Sequence, residues 1–257
     1  MLIVELTSQG PSAMQLIIEK ILLPPPITHI SRPRLLGLLH ESLKSCCSTI
    51  INGRAGTGKT TLAGDFARDS RRPTAWYKVD APDGDLQVFF GYLIASIKRH
   101  RPTFGLRNLQ PILNGNYNEI PLLADAFAFE LVETDGEPLL IVIEDLHLVY
   151  DAPWIVSFFS RLLPLLPSGV HVIITSRTMP PAPLWRMRSK QSLCVVDEAE
   201  LAFTRQEAIE FFESVDLSRE QATIALDHTH GRAGALHFCA DSLTTERRKL
   251  LDGAAAV

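Results

Sequence analysis

Residues 51–64 read INGRAGTGKTTLAG, a glycine-rich stretch that few folds accommodate. It matches the pattern G-x-x-x-x-G-K-[ST] without a mismatch, after an apolar run and before a helical one. In such a loop the glycines let the backbone approach an anion. Successive N–H groups form a concave nest, and the following helix adds its positive end. The stretch therefore predicts a phosphate-binding loop.

Each residue type in this loop has an expected role. Lys59 places a cation against the β- and γ-phosphates and is a candidate catalytic residue, while the hydroxyl of Thr60 is offered to Mg²⁺. We therefore expect ATP or ADP together with Mg²⁺ as cofactors. The nucleotide-binding residues expected from the motif are Gly53, Arg54, Ala55, Gly56, Thr57, Gly58, Lys59, Thr60 and Thr61.

Short apolar strands alternate with helical patterns, which predicts a parallel sheet covered by helices. The expected fold class is α/β, a P-loop NTPase with a five-stranded, mainly parallel sheet flanked by helices, plus a small C-terminal helical lid domain. Strands are expected at 48–52, 74–80, 138–145, 169–176 and 192–197, and helices at 59–69, 86–99, 120–133 and 154–163. The expected boundaries are 1–45 for an N-terminal lead-in and first helix, 46–200 for the core, and 201–257 for the lid and tail.

An apolar strand ends in the acidic pair Glu144-Asp145. The carboxyl ends of parallel strands face the crevice where open α/β sheets bind ligands. We expect one carboxylate to hold the Mg²⁺ shell with Thr60 and the other to orient the attacking water, so both are candidate catalytic and metal-binding residues. The alternative is a solvated acidic strand end. The strand TAWYKVD lies between the two motif strands in sequence, which suggests the P-loop class with an extra strand inserted between them.

The strand after the acidic pair ends in Ser176-Arg177. An arginine at the edge of the crevice is able to reach a γ-phosphate, so Arg177 is a further candidate nucleotide-binding residue. The alternative is an arginine that follows a strand into solvent. Farther along, Thr204 with Glu207 three residues later forms a capping box, which predicts a helical part at about 200–245.

Several segments together resemble the nucleotide-binding module of STAND-class P-loop NTPases, in the branch of MalT-like, large LuxR-type transcriptional regulators. The resemblance spans most of residues 15–245, and its most specific part combines TSR…PP.PL.R.R with L.FT..EA..F. The segments are ISRPRLLGLL (30–39), DLQVFFGYLIASIK (85–98), IVIEDLHLV (141–149), HVIITSRTMPPAPLWRMRSKQSL (171–193) and LAFTRQEAIEFF (201–212).

This resemblance implies an ATP-driven switch. ADP would hold a closed state, ATP with an inducer would give an open, self-associating state, and slow hydrolysis would reset it. The chain departs from the family pattern in two places. Glu144 stands where the family usually has aspartate, which we expect to weaken hydrolysis. The lid pattern GWPAGL becomes GRAGAL, so that Arg232 and Ala233 replace a tryptophan and a proline that packs near the base.

Two classes of function remain open. The first is an ATP-binding, slowly hydrolysing regulatory switch. The alternative is a P-loop ATPase or kinase that acts on a separate substrate, or a nucleotide-binding fragment that does not hydrolyse. The family continues into a winged helix, a helical-repeat sensor and a DNA-binding helix-turn-helix, which do not fit after the lid. We therefore expect a fragment, or a short protein that borrows only the switch, with no direct DNA binding.

Composition agrees with these expectations. The net charge of −4 does not indicate a nucleic-acid binder, and the four cysteines have neither metal-site nor redox spacing. No signal peptide is evident and no apolar run is long enough to span a bilayer, so we expect a cytoplasmic protein without a membrane partner. A histidine-rich stretch at 228–239 is interpreted as part of the lid helices rather than a zinc site. The basic cluster at 98–107 is interpreted as a helix end rather than a nucleic-acid patch.

Overall fold

A computed structural model describes residues 3–5, 15–26, 31–113, 120–134, 136–190 and 193–254. Parts of the predicted lead-in, the first residue of the fifth predicted strand and the end of the tail lie outside these residues. The strands are β1 (Ile3–Glu5), β2 (Gln15–Ile17), β3 (Ser48–Asn52), β4 (Thr74–Lys78), β5 (Leu139–Glu144), β6 (Val170–Ser176) and β7 (Leu193–Val196).

Five of these strands form the central sheet, in the order β4-β5-β6-β3-β7. Every pairing is parallel, with Ile50 of β3 opposite Ile174 of β6 and Val195 of β7. The predicted five-stranded sheet is therefore confirmed, and each strand lies within about two residues of its expected bounds. β1 and β2 form a separate antiparallel pair that the sequence analysis did not predict.

The strand inserted between the two motif strands is β6, which pairs with both β3 and β5. The predicted class with one extra strand is correct. The TAWYKVD strand, whose place in the sequence suggested that class, is instead β4 at the edge beyond β5. Helical crossovers let a chain skip positions in a parallel sheet, so the order of strands in sequence does not give their order in space.

Helices cover both faces of the sheet. They are α1 (Pro33–Ser45), α2 (Lys59–Asp69), α3 (Leu86–Lys98), α4 (Leu109–Leu113), α5 (Ile120–Glu133), α6 (Ile155–Leu162), α7 (Ala182–Trp185), α8 (Glu198–Leu201), α9 (Arg205–Ser214), α10 (Arg219–Thr229) and α11 (Ala233–Ala254). No helix in the described ranges is both long enough and apolar enough to cross a membrane.

Alternate residues of the central strands pack on opposite sides. In β5, Ile141 and Ile143 join the apolar cluster beneath α3, α5 and α6, whereas Leu140 and Val142 join the cluster beneath α1 and α2. The strand is buried along its whole length, as its unbroken apolar run predicts. The result is a sheet between two helical layers, whose carboxyl edge stays open to ligands.

The helices after the sheet have an apolar cluster of their own, built around Phe211, Phe212 and Leu236. The predicted capping box opens α9: the Thr204 hydroxyl accepts from the Glu207 amide at 3.2 Å, and the Thr204 amide donates to the Glu207 carboxylate at 2.9 Å. The predicted C-terminal helical part is present, and we call α9–α11 the lid.

Candidate nucleotide-binding site

The candidate site lies where four neighbouring strands end. Gly53 follows β3, Asp145 follows β5, Arg177 follows β6 and Glu198 lies two residues after β7. Because the strands are parallel, these residues meet at the carboxyl edge of the sheet, where open α/β sheets bind their ligands. The first three of these residues were predicted from the sequence as part of the site, and Glu198 was not.

The backbone of the phosphate-binding loop has the conformation that its glycines allow. Gly56 and Gly58 have φ angles of 78° and 88°, in the left-handed region that other L-residues rarely adopt. α2 begins at Lys59, and the residue before it, Gly58, has no side chain that could cap the first turn. The N–H groups that open this helix are therefore not capped by that residue, which suits an anion.

Lys59 is folded back over the loop. Its Nζ donates to the carbonyl oxygens of Gly53 at 2.6 Å and Arg54 at 2.9 Å. Burial lowers the pKa of Lys59, and the carboxylate of Asp145 opposes this effect. The ammonium group thus lies at the mouth of the loop, facing an acidic neighbour.

Glu144 contacts Thr60 directly. The hydroxyl of Thr60 donates to Oε1 of Glu144 at 2.5 Å, and Nε1 of Trp76 approaches Oε2 at 3.3 Å. The hydroxyl and the carboxylate are hard oxygen donors, the type that Mg²⁺ prefers. Two of the three residues predicted to serve the metal, Thr60 and Glu144, are therefore side by side, and their chemistry fits that ion.

Asp145 lies beside Arg177, the arginine that is also a predicted nucleotide-binding residue. Its backbone is left-handed, with φ of 57°, and its amide donates to the hydroxyl of Thr175 at 2.9 Å. Nη2 of Arg177 lies 3.5 Å from Oδ2 of Asp145, and Nδ1 of His147 lies 3.7 Å from Oδ1. Burial lowers the pKa of His147. Lys59, Asp145 and Arg177 therefore form one charged group beside the loop.

A cavity of about 370 Å³ opens on this group. Its lining comprises Arg32, Leu36, Ala55, Gly56, Gly58, Lys59, Thr60, Thr61, Leu62, Asp65, Asp145, Arg177, Phe203, Ala233, Gly234 and His237. Most of the predicted nucleotide-binding residues are in this set. Glu144 is not, but it contacts the lining residue Thr60 and directly precedes the lining residue Asp145.

Three predicted loop residues also lie outside the cavity lining. The carbonyl of Gly53 accepts from Lys59, and the hydroxyl of Thr57 donates to the carbonyl of Arg54 at 2.9 Å. The Arg54 side chain turns away to Glu198, with Nε 2.7 Å and Nη2 2.6 Å from Oε1. These residues shape the loop rather than face the cavity.

The half of the cavity farther from the loop was not predicted. Arg32 of the lead-in stacks on Phe203, with its guanidinium carbon 4.1 Å from the ring centroid. Its nitrogens also donate to the carbonyl oxygens of Leu201 and Ala202, at 2.8 and 3.0 Å. Both Arg32 and Phe203 fall within segments that carried the family resemblance, which was the one available signal.

Neither the histidine-rich stretch nor the basic cluster provides a metal site in the described ranges, and no residue of the basic cluster lines the cavity. No group of three or more histidine, cysteine or acidic side chains suited to a metal occurs among the residues described, and all four cysteines are free thiols. In the basic cluster, Arg101 is buried and donates to the carbonyls of Leu131 and Glu137, at 2.8 and 3.1 Å. That arginine ties α3 to the end of α5.

These features define a nucleotide-binding module of the P-loop NTPase class. They are the phosphate-binding loop after β3, the acidic pair at the end of β5, the strand β6 inserted between β3 and β5, and the helical lid. No protein-family model matches the chain. Among solved structures, a Walker-type ATPase of Pyrococcus abyssi has the same fold, with a TM-score of 0.53 and 14% identity over 88% of this chain and 74% of that one.

Curated relatives narrow this class. The transcriptional regulator MalT of Yersinia enterocolitica is 32% identical over 200 residues, which is 75% of this chain and 21% of that protein. MalT of Yersinia pestis is 32% identical over 219 residues, or 82% and 23%. The chain thus spans less than a quarter of the length of these relatives. It is a MalT-like P-loop NTPase nucleotide-binding module.

Proposed function

We propose that this module binds ATP and ADP with Mg²⁺, hydrolyses ATP slowly and acts as a regulatory switch. One observation carries the proposal: a single cavity is lined by the phosphate-binding loop, by the strand-end residues Asp145 and Arg177, and by Ala233 and Gly234 of the lid. A nucleotide in this cavity would touch both the core and the lid. The chemical state of the nucleotide, ATP or ADP, would therefore bias the position of the lid relative to the core.

The proposed roles follow from the contacts. Lys59 binds the β- and γ-phosphates, and Thr60 with Glu144 holds Mg²⁺, which supplies Lewis-acid stabilisation of phosphate charge when it is bound. Asp145 orients the attacking water. Arg177, half-exposed beside Asp145, contacts the γ-phosphate and so distinguishes ATP from ADP.

The relatives suggest the setting of the switch. They are named as helix-turn-helix transcriptional regulators, so we propose that this module controls such a regulator, or borrows its switch, in the cytoplasm. We propose self-association in the ATP state and no direct contact with DNA by this part. We also propose the division into residues 1–45, 46–200 and 201–257, because the helices after the sheet have an apolar cluster of their own.

A kinase or a working ATPase is the competing function, and the turnover rate separates the two. A switch that needs to persist in its ATP state should hydrolyse far more slowly than the about 1–100 s⁻¹ typical of kinases. The loop and the lid line the same cavity, which favours the switch, because a bound nucleotide would then couple its chemical state to the position of the lid.

Replacing Arg177 with alanine tests the switch. The guanidinium should matter only when a γ-phosphate is present, so ADP affinity stays near wild type while affinity for a non-hydrolysable ATP analogue falls about 10- to 150-fold. ATP-dependent association should fail with it. Titration calorimetry and light scattering measure both effects, with Arg99→Ala as the control because Arg99 is exposed outside the cavity. Equal changes for the two nucleotides would contradict the switch.

A further inference from the structure

Arg232, which stands where the family pattern has tryptophan, grips the phosphate-binding loop. Its Nε and Nη2 donate to the carbonyl oxygen of Ala55, at 3.1 and 2.5 Å. Two residues later, the amide of Gly234 donates to the carbonyl oxygen of Gly56 at 2.7 Å. The start of α11 thus holds two consecutive loop carbonyls.

The same loop is held on another side by the segment after β7. The amide of Arg54 donates to Oε2 of Glu198 at 2.9 Å, and the Arg54 guanidinium binds the same carboxylate. This second contact fixes one end of the loop independently of the lid. The orientation of the peptides at 55 and 56 therefore depends on Arg232 and Gly234.

Because of the geometry of the peptide bond, these contacts to the loop carbonyls also fix the direction of the loop amides that would bind phosphate. The peptides are trans, and in a trans peptide the N–H points opposite to the C=O. With the carbonyls of Ala55 and Gly56 directed at α11, the amides of Gly56 and Thr57 are directed away from it. Those amides belong to the concave nest that a phosphate requires.

We propose that Arg232 is a positioning residue that orients the phosphate-binding loop while the lid is docked. Undocking frees the two peptides to rotate and lowers the fraction of molecules with a formed nest. The apparent affinity for any ligand that occupies the nest falls in proportion to that fraction. By reciprocity, a bound phosphate chain stabilises the docked lid.

The inference rests on the nucleotide binding proposed above. One experiment distinguishes a failure of that binding from a failure of the positioning role of Arg232. Titrate ADP and a non-hydrolysable ATP analogue into the whole chain and into Arg232→Ala. Because the arginine acts on the loop and not on the γ-phosphate, both affinities should fall by the same factor, about tenfold. If the wild-type chain binds neither nucleotide, the proposed function fails. If the wild-type chain binds both and Arg232→Ala binds them equally well, only the positioning role fails.

Comparing the loss of affinity for ADP with that for the ATP analogue distinguishes positioning of the loop from direct contact with the γ-phosphate. A loss confined to the ATP analogue would make Arg232 a direct γ-phosphate contact and overturn the positioning role. Arg219→Ala is the matched control, since it removes an exposed lid arginine that pairs with Glu213 and lies outside the cavity lining. That variant should keep wild-type affinity for both nucleotides.

Hydrogen exchange distinguishes positioning from a merely structural role. In the wild-type chain, ADP should slow hydrogen exchange of the α11 amides. In Arg232→Ala, ADP should give a smaller increase in the protection of these amides. An equal gain in both proteins would overturn the proposal. If Arg232→Ala does not fold, Arg232→Lys replaces it, because lysine cannot reproduce the two-pronged contact. The same paired loss is then expected, and wild-type affinity would overturn it.

Discussion

Glu144 shows how a single departure from a family pattern is accommodated. Glutamate is one methylene longer than the aspartate usual at this position, and its two oxygens are used by two different partners, Thr60 and Trp76. The indole thus holds the carboxylate against Thr60, in the first turn of α2. The longer side chain is anchored on both sides and remains suited to serve the metal.

Removing both charges of the acidic pair should separate binding from turnover. Glu144→Gln combined with Asp145→Asn keeps the size of both side chains, so ADP binding should survive while ATP hydrolysis stops for lack of metal and water handling. Calorimetry and phosphate release measure the two properties. The control is Glu220→Gln with Asp227→Asn, since both residues are exposed on α10. Unchanged phosphate release in the first double variant would place the catalytic carboxylate elsewhere.

The site residues that could be predicted from the sequence are those that lie in short contiguous motifs. The loop motif and the acidic pair are each written in a few adjacent residues, and the structure brings Lys59, Thr60 and Asp145 to one cavity. Glu198 and Asp65 carry no local pattern. Glu198 reaches the site because the end of a strand distant in sequence approaches the loop, and Asp65 because one face of α2 lines the cavity. Neither the approach nor the face can be deduced from one sequence.

Among the elements, the long helices and buried strands were predictable because their apolar periodicity is strong. Two features were not predictable: which strand is inserted between β3 and β5, and the pair formed by β1 and β2. The identity of the inserted strand, β6, depends on which crossover packs best, and β1 and β2 have only three residues each. Strands that short have too few alternating residues for a pattern to emerge.

His171 joins three elements and makes the fold sensitive to acid. It lies on β6, where Nδ1 lies 3.2 Å from the carbonyl of Cys46 and Nε2 lies 2.9 Å from the hydroxyl of Thr49 on β3. That hydroxyl lies 2.6 Å from the hydroxyl of Ser42 on α1. Burial lowers the pKa of His171 from 6.5 to about 4. The contact to Cys46 opposes this shift, and the charge of Arg72 adds to it.

The free energy of unfolding should therefore fall with acid. Between pH 4 and pH 6.5 the unfolded chain binds more protons at this histidine than the folded one, so stability is complete above the unfolded pKa and is lost as pH falls toward the folded pKa. From pH 7.5 to pH 5 the loss from this group is about 2 kcal/mol. Urea unfolding of wild type and His171→Gln at both values checks it. Equal pH dependence in the two proteins would contradict the assignment.

In the whole molecule, Arg32 before α1 and Arg34 within its first turn join the core to the lid. Nη2 of Arg32 and Nη2 of Arg34 both lie 3.2 Å from Oε2 of Glu207, the residue that completes the capping box of α9. Arg32 also lines the nucleotide cavity. The lid thus contacts the core beside the phosphate-binding loop, through Arg232, and again through the ion pairs of Glu207. A nucleotide would lie between these two contacts.

The most direct test of the account is whether both nucleotides bind through Lys59. Calorimetric titration of ADP and a non-hydrolysable ATP analogue should show binding to wild type and to the control Lys44→Ala, whose side chain is exposed on α1. Lys59→Ala should fold, since its ammonium contacts only loop carbonyls among the described hydrogen-bond partners. It should lose more than about 100-fold in affinity for both ligands. Full affinity for either nucleotide in a folded Lys59→Ala would contradict the assignment of this site.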